Sequence, residues 1–330
     1  MQKFYLKTFG CAQNTADSQR IRAKYLMEGY QEVGNYKDAD VIIINSCIVR
    51  ESAENRVYGL VDNIRKKYLP AGRQVKIIVT GCLAGITKKI KNVDEVLSIK
   101  NISYDIPPVR EKDIALVPIS SGCDNFCSYC IVPYARGREV SRNEKEILTE
   151  IDKVIANGYK KVLLIGQNVN SWNKDKFYQL LEKVAQKDLE KISFVSSNPW
   201  DFSDDLINVI AKYKNIDRLI HLPLQSGDDQ ILKKMNRKYT SKDYLDLIKK
   251  IKNKVKGVKF STDIIIGFCG EDEKAFENTI KVCKKVKFEI AYLNKYSPRR
   301  GTVSAKMYKN DIPQSVKKER WVRLNNLINN

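Results

Sequence analysis

The 330-residue sequence has a single histidine, His221. It has no apolar run approaching the ~20 residues that a membrane span needs. Its N-terminus, MQKFYLKTFGC, lacks the apolar core of a secretory signal. Eight cysteines fall well short of the density of a disulfide scaffold. No short internal repeat, low-complexity tract or Gly-rich phosphate loop of the Walker type stands out. These absences argue against a membrane-spanning, secreted or fibrous protein. They point to a reducing, cytoplasmic compartment, where cysteines serve as metal ligands, nucleophiles or small buried hydrophobes.

What is present suits a folded, basic protein. Hydrophobic residues make up 43% and aromatics 9%, enough for a packed core. Lys and Arg number 59 against 39 Asp and Glu, a net charge of +20 that favours an anionic partner such as nucleic acid. Much of the excess is Lys accompanied by Ile and Asn, the composition of an AT-rich genome, so charge alone does not decide.

The chain divides by pattern near residue 110. Before it, FYLKTFG (4–10), VIIINSC (41–47) and KIIVTGC (76–82) read as strands, with helices over Asp17–Gly29 and Glu51–Tyr68 and a loop around Pro70 and Gly72. Nearly continuous apolar strands separated by helices predict a parallel sheet covered on both faces. Gly10-Cys11, Ser46-Cys47 and Gly81-Cys82 each place a cysteine just past a strand. The C-terminal strand ends of such a sheet share one edge, where ligands bind. Cys11, Cys47 and Cys82 can therefore converge, although buried hydrophobic roles are an equal reading of those residues alone.

A linker is expected over IPPVREKD (106–113). Six strand–helix units follow, with strands IALVPIS (114–120), VLLIG (162–166), ISFVSS (192–197), LIHLPLQ (219–225), STDIIIG (261–267) and EIAYLNKYS (289–297). Helices are expected near 143–157, 174–187, 202–213, 228–253 with a break, 273–285 and 314–328. The fold class is α/β: a parallel α/β domain over 1–110, then a partial (β/α)6 barrel over 111–330. An open doubly wound sheet is the alternative for the second part.

The most informative stretch, SGCDNFCSYC (121–130), carries Cys123, Cys127 and Cys130 as C-x3-C-x2-C directly after the first barrel strand. Three thiolates on one short loop can hold three irons of a [4Fe–4S] cube and leave the fourth open for a substrate or cofactor. Zinc is the competing reading. A closed site would want a fourth ligand, and His221 could supply it only by approaching in space.

This segment resembles the signature of radical S-adenosylmethionine (SAM) enzymes, and GCDNFCSYCIVPYARGREVSR (122–142) resembles their methylthiotransferase family. TFGCAQNTADS (8–18), NSCIVRESAENR (45–56) and VTGCLAG (79–85) are similar to that family's N-terminal motifs. The resemblance implies two [4Fe–4S] clusters, one on Cys123, Cys127 and Cys130 that binds and cleaves SAM, and one on Cys11, Cys47 and Cys82. It implies SAM contacts in the loops after the barrel strands: Tyr129, Gln167, Asn168, Ser196, Ser197 and Gln225, with Arg237 pairing with the SAM carboxylate and Gly267 admitting the adenine. Cys269 stands where the family usually has Pro, and it and Cys283 read as structural.

By the same resemblance the substrate is tRNA, at its anticodon stem-loop. QNVNSW (167–172), IVPYARGRE (131–139) and HLPLQSG (221–227) are most similar to the branch acting on isopentenyl-type adenosine. The QN of GCAQN departs from that branch. Other branches act on threonylcarbamoyladenosine or on an aspartate of a ribosomal protein. A low-potential electron donor such as flavodoxin or ferredoxin, and a sulfur donor, are implied. The family's usual C-terminal RNA-binding β-barrel is expected to be absent, so either the basic body holds tRNA, or another polypeptide supplies that contact, or the sequence is truncated. A non-catalytic zinc protein that binds RNA is the rival of a different class.

Overall fold

Among the described residues, five parallel strands build the first unit, in the order β2-β1-β3-β4-β5. They are β1 (Lys3–Phe9), β2 (Gln31–Glu32), β3 (Val41–Ser46), β4 (Lys76–Gly81) and β5 (Glu95–Val96). The computed structural model describes residues 1–49, 51–68, 74–99, 106–109 and 113–329. The loop expected at Pro70 and Gly72 lies outside them, as do residues 110–112 of the expected linker.

The central strand β3 shows why this sheet is buried on both sides. Ile42 and Ile44 enter one core with Val57, Val61 and Ile64, whereas Val41 and Ile43 enter another with Phe4 and Ile21. Alternate side chains of one strand point to opposite faces, so an unbroken apolar run serves two cores at once. Helix α2 (Glu51–Asn63) supplies the first core and α1 (Ala12–Met27) the second.

Helix α1 starts five residues earlier than its apolar pattern predicts. Its first turns are polar yet buried, and hydrogen bonds replace the missing apolar signal. Asn14 Nδ2 donates to Asn45 Oδ1 at 3.0 Å, and Asn45 Nδ2 donates to Ser18 Oγ at 2.8 Å. The helix closes as expected at Gly29, whose φ of +83° lets the Tyr30 N–H reach back to the Tyr25 carbonyl.

The second unit has six parallel strands in sequential order. They are β6 (Ile114–Pro118), β7 (Lys161–Ile165), β8 (Lys191–Phe194), β9 (Leu219–His221), β10 (Lys259–Ile266) and β11 (Ile290–Lys295). The first three and the last three form separate ladders. A parallel bridge between Ile192 and Ile216 links them, with the Ile192 N–H donating to the Asn215 carbonyl at 2.8 Å. Helices follow the strands as the pattern predicts, and their apolar faces share one core with the strands. The helix expected from 174 begins at Phe177, because Asn173, Lys174 and Asp175 all adopt positive φ.

The boundary between units differs from a simple cut at residue 110. Residues 121–124 and 131–140 fold with the first unit, although they follow the first barrel strand. The short helix α3 (Val132–Arg136) explains this. Ile131 and Ala135 belong to the core of the first unit, and Gly85 lies so close to the Ala135 carbonyl that a Cβ there would stand 2.0 Å from its oxygen.

Candidate active site: two cysteine sets and a polar barrel rim

In the first unit, β1, β3 and β4 are neighbours in register, with Phe9 opposite Ser46 and Ser46 opposite Gly81. Their C-terminal ends are therefore level. Cys11 caps α1, Cys47 follows β3 and Cys82 follows β4. The fold thus brings all three to one sheet edge. Burial pushes the Cys82 thiol up to about 11, with Cys47 and Cys11 adding to the rise. Burial also raises Cys47, whose Sγ accepts the Val49 N–H at 3.4 Å.

Arg136 completes this site, and it was not singled out from the sequence. Its Nε donates to Cys82 Sγ at 3.1 Å and its Nη2 to Asp17 Oδ2 at 2.7 Å. Asp17 also accepts from Gln13 Nε2 at 3.2 Å. Burial works against the charged guanidinium, but Asp17 and Cys82 outweigh it and hold the group above its ordinary value.

In the same unit, the Cys123 N–H donates to the Gly137 carbonyl at 3.2 Å. In the second unit, the Cys130 N–H donates to the Cys127 carbonyl at 2.9 Å. Ser128 pins that turn, its N–H to the Met235 carbonyl and its Oγ to the Lys234 carbonyl. Arg237 Nη1 donates to Cys127 Sγ at 3.4 Å. The Arg237 guanidinium lies over Trp200, 4.6 Å from its centroid, and over Tyr239 at 5.1 Å, while Nη2 reaches the Pro223 carbonyl. The phenol of Tyr129 is driven well above its ordinary value by burial and then by the Cys127 thiol.

Each cysteine set thus has one sulfur facing an arginine donor, which suits a thiolate ligand better than a buried thiol. Among the described residues, no three His, Cys, Asp or Glu side chains are placed so as to hold a metal ion. A single ion needs its ligands within bonding reach of one point. A [4Fe–4S] cube spreads its thiolates over separate irons.

His221 is committed elsewhere. Its Nδ1 accepts the Ser196 N–H at 3.2 Å, and its Nε2 stands 3.2 Å from Asp263 Oδ2. Both ring nitrogens are in use, which removes the candidate fourth ligand of a zinc site. The histidine instead fixes the loop after β8, where Ser196 has φ of +67°.

The C-terminal ends of β6 to β9 carry a rim of orphaned polar atoms. Ser120 Oγ, Gln167 Oε1, Asn168 Oδ1, Ser197 Oγ, Asn198 Nδ2 and Gln225 Oε1 are buried without a protein partner. Each such group costs about 1–3 kcal/mol if left unpaired. Several around one barrel mouth mark a place shaped for a polar ligand. The loops that carry them are fixed from within, since Asn170 and Asn198 exchange hydrogen bonds at 2.7 and 2.8 Å. Gln225 itself sits at φ of +65°.

Gly267, at φ of +70° after β10, lies beside Lys317, whose Cγ would stand 2.4 Å from a Cβ there. Its N–H donates to Glu271 at 2.7 Å, and Glu271 is paired with Arg320 at 3.0 Å. Burial pushes the Glu271 carboxyl up to about 7, against the pull of the Gly267 N–H and Arg320. The folded protein therefore holds this proton more tightly than the unfolded chain. That contribution is complete below the ordinary value of 4.5 and is lost as pH rises through about 7. Relative to Glu271→Gln, the natural protein should lose on the order of 3 kcal/mol of stability across that window. Denaturant midpoints of both proteins at pH 5 and pH 8 check this, and a constant difference between them would refute it.

Cys269 and Cys283 are buried, the first with Met235, Phe268 and Tyr296, the second in the barrel core. Burial pushes the Cys283 thiol up to about 12, as expected of an inert structural residue.

Comparison with known proteins places these features in a family. The profile of the radical SAM superfamily matches residues 117–283, and that of the uncharacterized protein family UPF0004 matches residues 3–99. The tRNA-2-methylthio-N(6)-dimethylallyladenosine synthase of Clostridium botulinum is 41% identical, over 99% of this chain and 81% of that protein. The protein of the same name from Bacillus cytotoxicus is 39% identical, over 99% and 72%. Among solved structures, the radical SAM methyltransferase TsrM from Kitasatospora setae, with cobalamin and a [4Fe-4S] cluster bound, aligns with a TM-score of 0.65 at 11% identity. The alignment covers 92% of this chain and 77% of that one. That likeness is one of fold.

Proposed function

Because the chain belongs to the radical SAM superfamily, and within it to the family of tRNA-2-methylthio-N(6)-dimethylallyladenosine synthases, we propose that it adds a methylthio group to carbon 2 of an isopentenyl-type adenosine beside the tRNA anticodon. The observation that carries this reading is the pair of cysteine sets on differently built platforms. One set lies on a loop after the first barrel strand, the other at the level ends of three adjacent parallel strands.

Cys123, Cys127 and Cys130 would hold the SAM-binding [4Fe–4S] cluster, and Cys11, Cys47 and Cys82 a second one. When bound, these groups and SAM supply the one-electron cleavage of SAM and the sulfur to be transferred. The chain's own residues bind and orient. Gln167, Asn168, Ser197 and Gln225 offer unpaired polar atoms to SAM at the barrel mouth. Ser196 belongs to the same rim through its His221-fixed loop. Arg237 carries a half-buried positive charge beside Cys127, where it can serve both the thiolate and the SAM carboxylate. By the resemblance, Tyr129 and Gly267 would complete the SAM contacts; the Tyr129 ring meets that of Phe268, next to Gly267, edge to face at 6.5 Å. A low-potential electron donor, a sulfur donor and a cytoplasmic location belong to the proposal. Among the described residues no helix is long and apolar enough to cross a membrane.

The test is anaerobic reconstitution with iron and sulfide, incubation with SAM and reductant, and mass spectrometry of the nucleosides of the treated tRNA. A 2-methylthio product on isopentenyl-type adenosine is expected. Product only on threonylcarbamoyladenosine, or only on a ribosomal protein, would replace this reading. One zinc and no iron would end it.

A further inference from the structure

Arg136 lies in the first unit as a buried cation held between a carboxylate and a sulfur. Its Nη2 donates to Asp17 at 2.7 Å, its Nε donates to Cys82 Sγ at 3.1 Å, and the side chains of Arg136 and Asp17 are 3% and 4% exposed. Asp17 is steadied in turn by Gln13. Such a pair is costly to desolvate, and a structural tie between α1 and α3 could be made by apolar packing at lower cost. The Nε–sulfur bond is what apolar packing could not replace. The residue that follows, Gly137, accepts the Cys123 N–H through its carbonyl. One short segment therefore touches a cysteine of each set.

We propose that Arg136 is a positioning residue that sets the reduction potential of the cluster held by Cys11, Cys47 and Cys82, with Asp17 fixing and partly offsetting its charge. The proposal rests on the reading of those three cysteines as cluster ligands. Cluster potentials respond to hydrogen bonds on the sulfurs and to nearby charge. One-electron reduction adds a negative charge beside the guanidinium. A fixed cation donating to Cys82 Sγ therefore favours the reduced form. A carboxylate beside that cation works the other way.

The two partners consequently have opposite signs. The holoenzyme is reconstituted anaerobically and titrated with dithionite while the signal of the second cluster is followed by electron paramagnetic resonance. Arg136→Gln should move that potential down, Arg136→Lys should leave it nearer the natural value, and Asp17→Asn should move it up. A purely structural tie would not give shifts of opposite sign. Shifts in the same direction, or none in a protein that retains its iron, would overturn the proposal. Should Arg136→Gln fail to assemble a cluster, Asp17→Asn decides alone, and an unmoved potential there refutes it. The underlying reading is tested separately by Cys11→Ala. If that variant keeps about eight irons per chain, the second cluster is not on these cysteines.

Discussion

Reconstituted Cys127→Ala protein is expected to release no 5′-deoxyadenosine from SAM above background and to fall from about eight irons per chain to about four. The expectation rests on what surrounds Cys127. Its turn is held by Ser128, which uses a backbone and a side-chain bond that the substitution leaves intact. Arg237 loses its sulfur acceptor but keeps the Pro223 carbonyl and its stacking on Trp200 and Tyr239. The barrel should remain folded, so loss of SAM cleavage reports loss of a ligand. Cys283→Ala is the control. It removes a thiol from the barrel core, costs on the order of 1 kcal/mol, and should leave iron content and cleavage within about twofold. Cleavage and iron retained in Cys127→Ala would refute the assignment of this loop to the SAM-binding cluster.

The sequence shows where these groups are much better than how they are held. The strands are legible because their apolar runs are dictated by burial on both faces, as Ile42 to Ile44 illustrate. The cysteines of 123–130 stand out because their spacing is covalent. Cys11, Cys47 and Cys82 are legible because a parallel sheet puts the ends of its strands on one edge.

Long-range polar pairing leaves no periodic trace. Arg136 and Asp17 are 119 residues apart, and Arg237 meets Cys127 across 110. The early start of α1 is hidden for the same reason, because Asn14 and Ser18 are buried by bonds to Asn45 and carry no apolar pattern. His221 is visible as the only histidine, but its service to the Ser196 loop is not. The return of residues 131–140 to the first unit is equally silent, since it depends on Ile131 and Ala135 entering a core built forty or more residues earlier. The one available signal for Arg136 is its place within IVPYARGRE, six residues after the last cysteine of the loop.

Cys11→Ala should separate the two halves of the reaction. The variant is expected to cleave SAM within a few-fold of the natural rate while its tRNA shows no 2-methylthio product. Cys11 is the right member of its set to replace. Cys47 and Cys82 are 7% and 3% exposed, so alanine there leaves a cavity that could itself disturb the sheet edge. Cys11 is exposed, and its side chain makes no capping bond to α1. Its Sγ has one weak contact, with Asn14 Oδ1 at 3.5 Å. The helix start is secured without it by the Asn14, Ser18 and Asn45 network and by the Arg136–Asp17 pair. Alanine at this cap should therefore cost less than about 1 kcal/mol, and the first unit should keep its fold. With the fold preserved, a lost product with preserved cleavage places Cys11 in sulfur transfer. Product formation at the natural rate would show that the three strand-end cysteines do not hold the sulfur-donating centre.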